Sequence, residues 1–321
     1  MGRSRVRYSV TFIRRSMQSR WLRITIVLGV CFAWALVLYQ QMPMLKPHLN
    51  LIQPTFLVAA IVWGTLYFVG LGFCWAVVLQ HMLGAANGLS LVLSIHIWLR
   101  SMLTRYVPGN VWHIVGRVVL ATQHNVPSAL VIASATIEQV LMLLAALILC
   151  AVTLPFWSAQ PTAQGWLLLL VPFGLGCLHP KLLNRVFMTA NRLLKRPALV
   201  FHHTYRDIFI YLLLYVLAML CAGFALLTLV GSLTPVSLAA VPFILGAAAL
   251  AWAVGFLSFL TPSGLGVREA VLVALLVQQY PLPLAVAASL VFRLVLTVGE
   301  MLAVLLSYGL SRFRQIWVTL K

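Results

Sequence analysis

RYVPGNVWHIVGR, running from Arg105 to Arg117, is the stretch on which the reading of this chain turns. It joins a helix-breaking Pro108-Gly109-Asn110 to the aromatic and imidazole side chains of Trp112 and His113, with an arginine at each end. In a water-soluble loop the mixture is ordinary. Here it sits in 321 residues that are 63% hydrophobic and 8% charged, where a soluble domain carries about 25% charged residues. The mean hydropathy of +1.03 has the same meaning. Long apolar runs with short polar punctuation are those of an all-α, polytopic helical membrane protein, because about 20 apolar residues in a helix cross the hydrocarbon core with every backbone polar group paired. The runs do not alternate as barrel strands do.

Outward from that stretch, about seven to eight spanning helices are expected in a single integral membrane domain covering residues 1–321. Spans are read at about 21–39, 55–80, 128–154, 166–178, 207–230, 236–260 and 284–310. Three regions carry most of the 22 lysines and arginines: the N-terminal segment 1–23, the loop 179–206 and the tail 311–321. All three fall on one side of this arrangement, so the positive-inside rule puts both termini in the cytoplasm. Basic clusters of this kind also attract anionic lipid head groups. The excess over the 4 acids does not point to nucleic acid, since no soluble module is there to carry it. The five cysteines are scattered singly with neither CxxC spacing nor a Cys/His cluster, so no metal or other cofactor is expected.

Arg105 and Arg117 flank a backbone break that an ordinary lipid-facing span cannot hold. An arginine at the helix centre costs roughly 2.5–3.5 kcal/mol on insertion scales, and irregular backbone at membrane depth survives only inside protein or beside a water-filled cavity. A re-entrant, broken helical segment is therefore expected at about 89–127. A second, FLTPSGLGVREA, gives another at about 259–280, with Pro262, Gly264 and Gly266 as its breakers and Arg268 following. Each is followed by a helix, a proline-marked turn and a span with one buried charge. Laying Glu138 over Arg293 also superposes Ser134 on Ser289 and Val140 on Val295. With the two copies facing opposite ways, an inverted repeat is expected, a design whose binding sites lie at the repeat interface on discontinuous helices.

Of four acids, Glu138, Glu269 and Glu300 fall at membrane depth, where ionisable groups mark functional sites and need partners. Arg293 and Glu300 lie seven residues apart, about 10 Å along one helix, so each is expected to meet a partner from another element. The expected constellation is Arg105, Arg117, Arg268 and Arg293 with Glu138, Glu269 and Glu300, and its positive excess suits an anionic phosphate. Freed N–H groups at a new helix start add to such a site. Asn110, Trp112 and His113 are expected along its wall. The alternative is that the charges pair only to hold helices in register. Arg117 and Arg268 are expected to approach one polar cavity from the two repeats.

YVPGNVWHIVGR, the Glu138 span, PSGLGVREA and the Arg293 span together resemble the lysylphosphatidylglycerol synthase transmembrane-region family of flippase-like integral membrane proteins, in order and over nearly the whole chain. The resemblance implies a protein of the bacterial inner membrane that moves lipids. The sequence departs from the family at Gln139, where an arginine often follows the glutamate, and at Thr261-Pro262-Ser263-Gly264, where Pro-Gly-Gly is common. Only a short basic tail follows Leu310, so aminoacyl transfer is not implied.

The function expected is therefore translocation of an anionic phospholipid or lipid-linked saccharide, without enzymatic activity. Two other readings stand beside it. One is a scaffold that recruits an envelope-biosynthesis enzyme. The other is a membrane-embedded transferase with His113 and Glu138 as base and partner.

Overall fold

The computed structural model describes residues 53–84, 89–106, 111–157, 204–258 and 266–319. The expected spans at 21–39 and 166–178, the basic segment 1–23, all but the last three residues of the basic loop 179–206, and Pro108, Gly109, Asn110, Pro262 and Gly264 lie outside these residues. Among the described residues there are eight α-helices and no strand. They are α1 (Pro54–Leu83), α2 (Leu91–Met102), α3 (Trp112–Thr122), α4 (Ser128–Thr153), α5 (Tyr205–Leu233), α6 (Val241–Leu257), α7 (Val267–Leu276) and α8 (Leu282–Thr319). Five helical stretches, 54–83, 128–156, 205–233, 238–257 and 282–309, are long and apolar enough to cross a membrane.

The short helices are the broken segments. α2 has 12 residues and α3 has 11; at 1.5 Å per residue neither crosses a ~30 Å core. They fold back on each other through the 3-10 turn Leu103–Tyr106. The Thr104 hydroxyl lies 2.7 Å from the Ser101 carbonyl and 2.8 Å from that of Trp112, tying the end of α2 to the start of α3. α7, with 10 residues, begins at Gly266, whose φ of +83° is one that residues with a Cβ rarely adopt. The second broken segment differs from the first in its leading arm, because α6 with its preceding turn is of spanning length.

Small residues bring the spans together. Gly64, Gly70 and Gly72 on α1 meet Val295 of α8, Ala218 of α5, and Ile95 and Trp98 of α2 respectively. Each glycine of this run thus docks a different helix, as close packing in lipid favours. α1 and α5 run antiparallel: Phe56 packs by Gly231 at one end, and His81 by Asp207 and Tyr211 at the other.

The packing has an internal correspondence. Pairing α1 with α5, α2 with α6, α3 with α7 and α4 with α8 maps every major helix contact onto another, α1·α8 onto α5·α4 and α2·α8 onto α6·α4 among them. Individual contacts follow, displaced by about 150 residues. Gly72 against Ile95 corresponds to Gly223 against Leu245, and His96 against Ser307 corresponds to Gly246 against Thr153. Since the matched helices α1 and α5 are antiparallel, the two halves are inverted.

Candidate functional site: a cavity between the two halves

α4 presents Ser134 and Glu138 one turn apart on one face, and two tryptophans converge on them. Trp75 of α1 donates its indole N–H to Ser134 Oγ at 3.0 Å, and Trp98 of α2 donates to Glu138 Oε1 at 2.6 Å. The faces of these rings hold Arg117, whose Cζ lies 4.7 Å from the Trp75 ring centre and 5.6 Å from that of Trp98. Arg117 also donates to Glu138 Oε2. At 0% and 1% exposure, this pair is cut off from solvent. Stacking and a charge-assisted hydrogen bond are what make so deep a guanidinium tolerable.

The matching position in the second half carries the same device with the charges exchanged. On α8, Ser289 and Arg293 are one turn apart. Ser289 donates to the Glu269 carbonyl at 3.1 Å, and Arg293 Nη1 lies 3.0 Å from Glu269 Oε1. Arginine on the short helix and glutamate on the long one in the first half become glutamate on the short and arginine on the long in the second. A third pair crosses between halves: Arg105 donates to Glu300 Oε2 at 2.6 Å. Arg293 and Glu300 thus do find partners on other elements. Asp207 caps α5 through the Thr204 amide at 2.8 Å and lies 3.8 Å from His81.

Every acid is therefore engaged, and Arg268 is left over. Among the described residues it makes no salt bridge; its guanidinium lies 5.5 Å from the Trp252 ring centre, and its Nε is shut off from solvent without a hydrogen-bond partner there. Arg268 lines a cavity of about 290 Å³ together with Tyr67, Trp98, Arg105, His113, Glu138 and Trp252. His113 Nδ1 is likewise buried there without a partner. A smaller cavity of about 50 Å³ shares Arg268, Tyr67 and Trp252 with it and is lined further by Glu269, Ser289 and Arg293.

This geometry corrects three expectations. Arg268 reaches the larger cavity but Arg117 does not line it, because Arg117 is spent on Glu138 and the two indoles behind the wall. The start of α7 is not an open anion site either: the Gly266 amide donates to Glu269 Oε2 at 2.7 Å, so a carboxylate of its own helix already takes that donor. Trp112 is 37% exposed and does not line the cavity. Tyr67, Trp98, Gly255 and Trp252, which do line it, escaped sequence reasoning. An aromatic or glycine within an apolar run carries no one-dimensional signal that separates a cavity wall from lipid contact. Gln139, the departure from the resembled family, also faces this cavity.

A protein-family comparison adds one finding. The model described as Lysylphosphatidylglycerol synthase TM region matches residues 20–303, a stretch that takes in all three ion pairs, Arg268 and both cavities. The matched region is a transmembrane region and not an enzyme domain. No curated protein matches the chain.

Proposed function

The chain belongs to the lysylphosphatidylglycerol synthase TM-region family, and from that premise we propose that it moves an anionic phospholipid or a lipid-linked saccharide across a membrane, with the polar head group passing through the larger cavity. The observation that carries this reading is Arg268. In a set of four arginines and three glutamates, it is the cation that no carboxylate neutralises, and it faces a cavity of about 290 Å³. A charge at membrane depth is expensive and is kept where it serves a pathway. A guanidinium is suited to a phosphate because it presents several donors in a planar fork. Tryptophan and tyrosine around it offer apolar area for the linker and acyl chains, while the rest of each lipid tail stays in the bilayer.

The basic clusters favour a bacterial inner-membrane protein with both termini in the cytoplasm. The chain acts here as a passage and not as an enzyme, so any drive comes from a gradient, a partner or the lipid's own concentration difference.

The test is head-group movement in proteoliposomes. Wild-type protein is expected to exchange a labelled phosphatidylglycerol between leaflets, and Arg268→Met to slow this by about tenfold, the loss of one charge-assisted contact of about 1.4 kcal/mol. Equal rates for the two proteins would remove Arg268 from the pathway.

A further inference from the structure

α6 carries Trp252 and Gly255 one turn apart, and both face the larger cavity with Arg268. A Cβ at Gly255 would lie 2.8 Å from Arg268 Nε and 3.0 Å from Cδ, and nearer still to Cγ. All three nearest atoms belong to that one side chain. The obstruction falls at mid-stem, so turning the guanidinium tip does not relieve it; the whole side chain must take another route. The absent side chain of Gly255 is thus a notch through which Arg268 passes before its guanidinium reaches the face of Trp252.

The first half has a corresponding contact with a different content. There the glycine is on the other helix: Gly116 of α3 receives Thr104, whose Oγ1 would lie 2.9 Å from an added Cβ. Thr104 fills that notch with an uncharged side chain that ties α2 to α3. In the second half the notch passes a cation. Other tight glycines, such as Gly223 against Leu245, are packing contacts away from the cavity.

We propose that Gly255 is a positioning residue for head-group recognition: by letting Arg268 through α6 it fixes where the unneutralised guanidinium stands, and this placement makes the cavity select an anionic phosphodiester head group over a zwitterionic one. The proposal rests on the reading of the larger cavity as a head-group site. Gly255 brings no side chain to the cavity that it borders; it acts through Arg268.

A double-mutant cycle isolates that relation. Purified wild type, Gly255→Ala, Arg268→Ala, the double variant and Gly223→Ala are compared by thermal unfolding in detergent, with phosphatidylglycerol or phosphatidylcholine titrated in. Wild type is expected to prefer phosphatidylglycerol. Gly255→Ala and Arg268→Ala should each lower that preference about tenfold, or about 1.4 kcal/mol, and the double variant should match Arg268→Ala alone. Gly223→Ala should lower the melting temperature and keep the preference. Should Gly255→Ala by itself fold poorly, the notch requires that truncating Arg268 restore stability; a double variant as unstable as Gly255→Ala overturns the proposal. So does an unchanged preference in Gly255→Ala, an effect that adds in full on the Arg268→Ala background, or a wild type with no preference. Leaflet exchange in the same lipids separates the two readings. Absent exchange with Gly255-dependent binding sinks the translocase and leaves the notch, whereas exchange that needs Arg268 but ignores Gly255 does the reverse.

Discussion

Arg117 and Arg293 occupy related places, yet their surroundings predict opposite responses to the same manipulation. Arg117 lies over two indoles and is fully buried, whereas Arg293 and Glu269 keep 16% and 17% of their side-chain surface exposed. Removing one member of a deeply buried pair strands the other charge and costs about 3–5 kcal/mol. Glu138→Gln is therefore expected to lower the denaturation midpoint sharply, and Arg293→Gln to do so much less. Exchanging both charges makes the contrast sharper. Glu269→Arg with Arg293→Glu should regain the stability that either single change loses through the ion pair, leaving only the loss of the carboxylate that accepts from the Gly266 amide. Arg117→Glu with Glu138→Arg should not, because the guanidinium is then taken off the faces of Trp75 and Trp98 and a carboxylate is put there. Thermal unfolding of the six variants checks this; full recovery by both exchanges would show that the indoles contribute nothing.

At the scale of the element, helices cross where side chains vanish. Gly299 of α8 lies against the backbone of α1: an added Cβ would be 2.7 Å from the Gly64 carbonyl carbon and 2.8 Å from the Thr65 nitrogen. Backbone cannot give way as a side-chain tip can, so Gly299→Val should separate α1 from α8 and cost about 1–3 kcal/mol, the range for overpacking. Gly309, on the same helix with nothing within 4 Å, should accept alanine with no measurable loss. Gly299 also lies beside Glu300, so the wedge should weaken the Arg105–Glu300 pair at the same time. A melting temperature unchanged by Gly299→Val would refute this crossing. Element limits were largely legible beforehand: spans expected at 55–80, 128–154 and 207–230 are found as Pro54–Leu83, Ser128–Thr153 and Tyr205–Leu233. Hydropathy runs decide where a helix can cross lipid, and Pro54, Pro127 and the Thr204 cap mark starts that local chemistry dictates.

At the scale of the molecule, the described helices form two inverted halves that share a contact plan and differ in charge. The antiparallel seam between α1 and α5 predicts that cysteines placed at Phe56 and Gly231, in a background without native cysteines, will join through a short bifunctional thiol reagent within one chain. Cysteines at Phe56 and Asp207 should not join, since Asp207 stands at the opposite end of α1 near His81. Mobility on a denaturing gel distinguishes the outcomes, and the reverse pattern would require α1 and α5 to run parallel.

By itself the sequence determined the class of the protein, most helix limits, the short helices of the broken segments and which charges fall within apolar helices, because each of these depends on composition, proline and glycine chemistry or the energy of a charge in hydrocarbon. It also contained the alignment of Glu138 with Arg293 and of Ser134 with Ser289, which turned out to mark equivalent positions. Only the tertiary structure decided which arginine meets which acid. Arg105 and Glu300 lie far apart in the chain, and Coulomb attraction depends on the distance left after packing. The same packing put Arg117 behind the wall with Trp75 and Trp98, left Arg268 in front, and gave it passage beside Gly255. That an added methyl at residue 255 would meet an arginine from the next helix is a fact of three-dimensional contact, and no reading of the residues one after another contains it.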